Sequence, residues 1–133
     1  MFISINLGCI NMALIPDVCK TPAVPAPVPL PYPNMALSSM HIPAQYKVMI
    51  GAGLIETEAF TGTTSELDEP GSLGGVVSGV FKGPDRYLLG SLKLAVCGFF
   101  VMRLTSLTGH NGMPFNTMGM QVSPAQFKVV ALS

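Results

Sequence analysis

Apolar and polar residues fall into short runs that break every few positions, and no 3.6-residue apolar period persists over a helix length. Tyr46, Val48 and Ile50 alternate with Lys47 and Met49, and Gly51-Ala52-Gly53 follows as a turn. Val76-Val77-Ser78-Gly79-Val80-Phe81 reads as a strand that stops at Gly83-Pro84. Leu92, Leu94 and Val96 alternate with Ser91, Lys93 and Ala95; Cys97-Gly98 then turns the chain into residues 99–104, which predicts a hairpin. Residues 108–114 read as loop, and residues 126–132 as a last strand. Between the runs at 46–50 and 76–81, residues 56–75 are mostly Thr, Ser, Gly and acids around Asp68-Glu69-Pro70-Gly71, a water-facing turn. Strands this short, with 14 glycines in the chain, predict a small all-β domain of strands and hairpins.

Residues 16–34 organise the rest. Seven of them are proline, each fixing φ and removing a backbone donor, so the stretch is extended and is neither helix nor central strand. A disordered linker would set such prolines among Ser, Glu, Gln or Lys. Here Ala, Val, Leu and Tyr stand between them, which predicts an ordered arm lying on the body. Tyr32, between Pro31 and Pro33, is either a packing ring that pins the arm or an anchor for a partner. Asn34 suits the turn that ends the arm.

Composition changes the picture in one respect. Only 11% of the 133 residues are charged, with seven basic and seven acidic, and the mean hydropathy is +0.51. A balanced charge gives no pull toward nucleic acid, and a surface this apolar fits a component of an assembly. The apolar region from residue 87 to 107 is interrupted by Lys93 and Arg103, so no uncharged 18-residue span or stable membrane anchor is expected. The first eleven residues lack the basic start of a signal peptide. They read as an extension or overhang, because Met12 serves equally as a start; residues 12–133 then form a single domain that includes the arm 16–34.

Candidate chemistry is sparse. Cys9, Cys19 and Cys97 are odd in number and form no CxxC pair, so neither a disulfide framework nor a zinc ribbon is written. No local motif ties Cys19 or Cys97 to His41 or His110 for nucleophilic catalysis. The acids match no calcium-loop spacing, and Gly71-Ser72-Leu73-Gly74-Gly75 lacks the ending of a phosphate loop.

Pro16-Asp17-Val18-Cys19-Lys20-Thr21-Pro22, then Pro29-Leu30-Pro31-Tyr32-Pro33-Asn34, resembles the signature of PAAR-like proteins of the "PIPY" type. Later blocks follow in order: Lys47-Val48-Met49-Ile50, Asp68-Glu69-Pro70-Gly71, Gly74-Gly75-Val76-Val77-Ser78-Gly79, Val101-Met102-Arg103-Leu104 and Thr108-Gly109-His110-Asn111. Leu30 replaces the commoner Ile, and Thr105-Ser106 stands where many such chains carry Gly-Asp. The resemblance implies a compact, cone-shaped, β-prism-like cap on the spike of a type VI secretion system or related contractile injection particle. It implies no enzyme activity of its own. It also implies one copy per trimer of a VgrG-like spike protein, synthesis in the bacterial cytoplasm, and expulsion on contraction to puncture a membrane. Family habit implies a zinc ion, for which Cys19 and His110 are the matching ligands, with Cys97 and His41 as additions. The alternatives are a small effector or effector adaptor carried by the spike, and a polyproline ligand for an aromatic groove. For a cap, three roughly similar edges are needed: residues 46–50; 76–81 with 92–96; and 99–104 with 126–132. Zero net charge predicts docking that is nearly insensitive to salt.

Overall fold

A computed structural model describes residues 1–132. Among the described residues there are thirteen strands and no α-helix. The first six strands are β1 (Ile10–Ala13), β2 (Asp17–Thr21), β3 (Val28–Tyr32), β4 (Met35–Leu37), β5 (His41–Ile42) and β6 (Met49–Ile50). They are followed by β7 (Gly53–Leu54), β8 (Thr61–Gly62), β9 (Arg86–Leu89), β10 (Ala95–Val96) and β11 (Phe99–Phe100). β12 (Leu107–His110) and β13 (Thr117–Ser123) complete the set. No helix in the structure is long and apolar enough to cross a membrane.

Seven strands form one sheet in the order β4-β1-β13-β12-β9-β8-β5. Every pair in it is antiparallel. Its two edge strands, β4 and β5, are joined through the 3-10 turn Ser38–Met40, so the sheet curls into a nearly closed barrel. The longest strand, β13, buries Thr117, Gly119 and Gln121 and turns Met118 and Val122 to the outside. Gly119 is required there, because a Cβ would stand 2.1 Å from the carbonyl oxygen of Met12 on β1. The barrel interior is accordingly polar, holding Asn11, His41, Tyr87, Thr108, His110 and Gln121.

The proline stretch is a hairpin of its own. β2 and β3 pair over their whole length, from Asp17↔Tyr32 to Thr21↔Val28. Proline cannot donate, so the β3 donors to this ladder come from residues 28, 30 and 32, while Pro29 and Pro31 make the outer edge unable to take another strand. The extended arm therefore doubles back: β2 lies against the body and β3 is exposed outside it. Lys20 N donates to Gly74 O (2.8 Å), Val76 N to Val18 O (3.0 Å) and Leu73 N to Lys20 O (3.2 Å). The Tyr32 hydroxyl meets Thr21 Oγ1 across the hairpin at 2.5 Å.

Other expected strands are shortened or replaced. The hairpin about Cys97-Gly98 is present as β10–β11, with φ positive at both turn residues (54° and 85°), as a tight two-residue turn demands. Residues 46–50 are strand only at β6. Residues 76–81 are a turn, because positive φ at Gly74 and Gly79 bends the chain and Asn116 Oδ1 accepts from Val77 N (2.7 Å) and Ser78 N (3.3 Å). Residues 126–132 make one bridge, Val130↔Phe2, instead of a ladder. Leu107 to His110, read as partly loop, are strand β12.

Candidate functional site

Three segments far apart in sequence meet through one hydrogen-bond pattern repeated three times. Ser4 N donates to Met102 O (3.0 Å), Met102 N to Glu56 O (2.9 Å) and Glu56 N to Ser4 O (3.0 Å), a closed ring of backbone bonds. A second turn of the same cycle runs Asn6 N to Leu54 O (3.0 Å), Glu58 N to Phe100 O (3.0 Å) and Leu104 N to Phe2 O (2.8 Å). The bridges Ile5↔Ile55, Thr57↔Val101 and Ile3↔Arg103 follow the same order.

Each segment pairs with a partner in an equivalent way. Ile55 N bonds Val48 O (3.2 Å), Val101 N bonds Leu94 O (3.0 Å), and Ile3 N bonds Val129 O (3.2 Å). The turns of the first two hairpins, β6–β7 and β10–β11, have a counterpart in which Met1 and Ala131 exchange bonds of 2.9 and 2.7 Å. Residues 1–6, read from the sequence as an extension, thus supply the third side. Gln45 and Gln126 hold their loops identically, each Oε1 accepting from the backbone N–H groups two and three residues on, at 2.8 and 2.9 Å. Ser91 stands at the same place and accepts from Leu94 N through Oγ (3.3 Å).

Inside this ring lies the aliphatic core: Ile3, Ile5, Cys9, Ile50, Ile55, Val101 and Ala131. Outside it, three large apolar side chains occupy the equivalent position and face solvent: Tyr46 at 73%, Leu92 at 66% and Phe127 at 72% exposure. The edges are therefore 46–50 with 53–55, 92–96 with 99–101, and 126–131 with 1–3. Residues 76–81 are not among them, and residues 99–104 pair with 92–96 in place of 126–132.

The arm is fastened by a buried carboxylate. Asp17 Oδ2 accepts from Asn34 Nδ2 (2.7 Å) and Asn111 Nδ2 (3.0 Å), and Oδ1 from Asn116 Nδ2. Beside it, Cys19 Sγ receives Asn111 Nδ2 at 3.5 Å and faces Asp68 Oδ2 at 4.0 Å. Burial, followed by the charges of Asp17 and Asp68, pushes the Cys19 thiol up to about 12. Burial also raises the Asp68 carboxyl, while a hydrogen bond from Lys82 N (3.2 Å) opposes it.

Asp17, Cys19 and Asp68 offer ligand atoms within 4.8 Å of one another, and this group could hold a metal. No other group of three or more His, Cys, Asp or Glu does so among the described residues. Asp68 Oδ1 is buried without a hydrogen-bond partner, which leaves a lone pair for a cation. A divalent ion would also neutralise the crowding of two carboxylates around the thiol.

The remaining sequence candidates lie elsewhere. Cys97 is exposed on the β10–β11 turn. His110 is buried at the end of β12, with Nε2 at 2.8 Å from Thr108 Oγ1 and Nδ1 unbonded; burial lowers its pKa. His41 is clasped by Glu56 (Nδ1–Oε1, 2.5 Å) and Asp85 (Nε2–Oδ2, 3.1 Å), and Tyr87 Oη donates to Glu56 Oε2 (2.6 Å). Burial alone would lower the imidazole, but the bonds and charges of Asp85 and Glu56 prevail and raise it to about 10. Cys19 alone of the four joins the candidate metal group.

The chain matches the Toxin PAAR-like domain over residues 10–119 and belongs to that family. The matched span omits both segments, 1–3 and 126–131, that complete the third edge. No curated protein and no solved structure matches the chain. Asp17, Cys19 and Asp68 all lie in blocks that resemble the family signature, but the acids around Asp68 read as a water-facing turn, so that residue is not among the metal candidates of the sequence. The threefold ring had one sequence signal: Pro43-Ala44-Gln45-Tyr46-Lys47-Val48 recurs as Pro124-Ala125-Gln126-Phe127-Lys128-Val129.

Proposed function

We propose that this chain is the non-enzymatic tip of the central spike of a contractile injection machine. One copy caps the blunt end of one trimeric, VgrG-like spike protein and sharpens it for membrane puncture. The observation that carries this reading is the threefold cycle of backbone bonds, with its three equivalent edges, inside a single chain. A single subunit can meet three identical partner edges together only by offering three similar surfaces of its own. Tyr46, Leu92 and Phe127 supply one exposed apolar contact to each. Family membership supports the reading, since PAAR-like domains are associated with spike tips. On this reading the protein is made in the bacterial cytoplasm and expelled with the spike on contraction.

The test is to mix the purified chain with the spike trimer of the same bacterium and weigh the complex by native mass spectrometry. One chain per three spike subunits supports the cap. Three chains per trimer, or a monomer that ignores the spike and hydrolyses cell-wall or lipid substrates, overturns it in favour of an effector.

A second reading concerns zinc. The donor set of two carboxylates and one thiol suits a zinc ion held by Asp17, Cys19 and Asp68, which would lock the β2–β3 hairpin to the 68–75 loop. Elemental analysis of protein purified without chelator should find close to one equivalent. Less than a tenth of an equivalent of any transition metal would end this reading.

A further inference from the structure

The zero net charge conceals an uneven surface. Four of the seven acids, Asp17, Glu56, Asp68 and Asp85, are buried, whereas no lysine or arginine is. Of the three acids left outside, Glu66 and Glu69 pair with Lys82 at 2.7 and 3.6 Å. The charge that a partner meets is therefore positive.

Three of the seven basic residues occupy one repeated position. Lys47, Lys93 and Lys128 each follow the exposed apolar residue of their edge (Tyr46, Leu92 and Phe127) and precede the residue whose carbonyl closes it (Val48, Leu94 and Val129). All three are exposed, and none has an ion-pair partner among the described residues. No acid recurs at three equivalent positions: Glu56 is matched by Met102 and Ser4, and Glu58 by Leu104 and Asn6.

We propose that Lys47, Lys93 and Lys128 form a threefold set of positive contacts that selects a trimeric spike end bearing one matching carboxylate on each subunit. This rests on the cap reading and names what the cap recognises. A threefold set of like charges beside three apolar anchors fits a threefold acidic partner better than a flat anionic membrane, which has no such symmetry. Opposite charges across an interface set register and partner choice, and at an exposed rim they are screened by salt. Docking is consequently salt-sensitive, in place of the indifference suggested by net charge alone.

The experiment compares wild type, the Lys47→Gln/Lys93→Gln/Lys128→Gln variant and three single Lys→Glu variants for binding to the purified spike trimer between 50 and 500 mM NaCl. All variants should melt like wild type, because these lysines have no partner in the free chain. The triple variant should bind about tenfold more weakly at low salt and lose most of its salt dependence. The three single reversals should weaken binding by similar factors, within about threefold of one another. Wild-type affinity and salt dependence in the triple variant, or loss confined to one lysine, overturns the proposal while leaving the cap intact. Failure of wild type to bind the trimer at any salt overturns both. Lysine-dependent binding to phosphatidylglycerol vesicles, with lysine-independent binding to the trimer, overturns it in favour of a membrane contact.

Discussion

The threefold ring and the Asp17 cluster hold the same molecule together by opposite means. The ring repeats one ordinary backbone pattern three times around an aliphatic interior, so its elements can be compared directly with one another. The Asp17 cluster occurs once: one buried carboxylate gathers three asparagine amides from residues 34, 111 and 116 and fixes the proline hairpin. Damage to one unit of the ring leaves two like it. Damage to Asp17 removes the shared acceptor of three asparagine amides at once. Repetition spreads stability over the base, while a single polar hub concentrates it under the arm.

The sharpest way to break this contrast is Asp17→Ala. It removes a buried carboxylate that three amides share, each of which keeps only weaker acceptors (Ser65 Oγ, Cys19 Sγ or Val18 O). The expected loss is about 3–5 kcal/mol of unfolding free energy, read by urea denaturation. A loss under about 1 kcal/mol would show that the arm is not held through this group. The ring is probed by Ile3→Ala and Ile55→Ala, equivalent positions that are both buried. Each should cost about 2–5 kcal/mol, and the two should agree within about 1 kcal/mol if the units are energetically alike. A cheap Ile3→Ala beside a costly Ile55→Ala would mean that the third unit is only an attachment.

The His41 cluster adds a pH-dependent contribution to the same comparison. The folded imidazole, at about 10, lies above its unfolded value of 6.5. A raised value means stability that is fully present below about pH 6.5 and lost as pH rises through about 10. His41→Gln should flatten this alkaline decline, whereas Asp17→Ala should leave it in place; denaturation midpoints from pH 6 to 10 decide. The smallest effect is expected on the outer strand. Pro31→Gly with Pro33→Gly should cost about 0.4–1 kcal/mol per site through the looser unfolded chain. An unchanged melting temperature, with protease cleavage at Tyr32 in wild type, would make the hairpin a flexible appendage.

Turn chemistry and family motifs were legible in the sequence. Cys97-Gly98 marked a hairpin, and the proline spacing forced an extended, ordered segment. What hid the rest was an inverted pattern of burial. On β13 the methionines and Val122 face outward while Thr117, Gly119 and Gln121 face in, so an alternation read as apolar-inward gives no barrel strand there. Residues 76–81 have strand-like composition, yet glycines on either side of Val76 and the side chain of Asn116, more than thirty residues away, impose a turn. The ring is hidden from the sequence for a related reason. Its third edge joins residues 1–3 to residues 126–131, and no local window contains both. The metal candidates matched by family habit were scattered because two of them, His41 and His110, belong to the polar barrel interior. Asp68, which the fold brings beside Asp17 and Cys19 in the candidate metal group, lies in a stretch whose acids read as solvated.

The exchange of bonds between Met1 and Ala131 places the third edge where the other two have turns. Topologically the base is a circle cut at one of three comparable points. A circular permutant, linked from residue 133 to Met1 and opened between Gly51 and Ala52, would keep every bond of the ring. The same geometry means that any polypeptide joined at either side of the cut would emerge from a single corner of the base. If the chain caps a spike as proposed, a face that is threefold toward the spike would present anything fused at that corner on one side only.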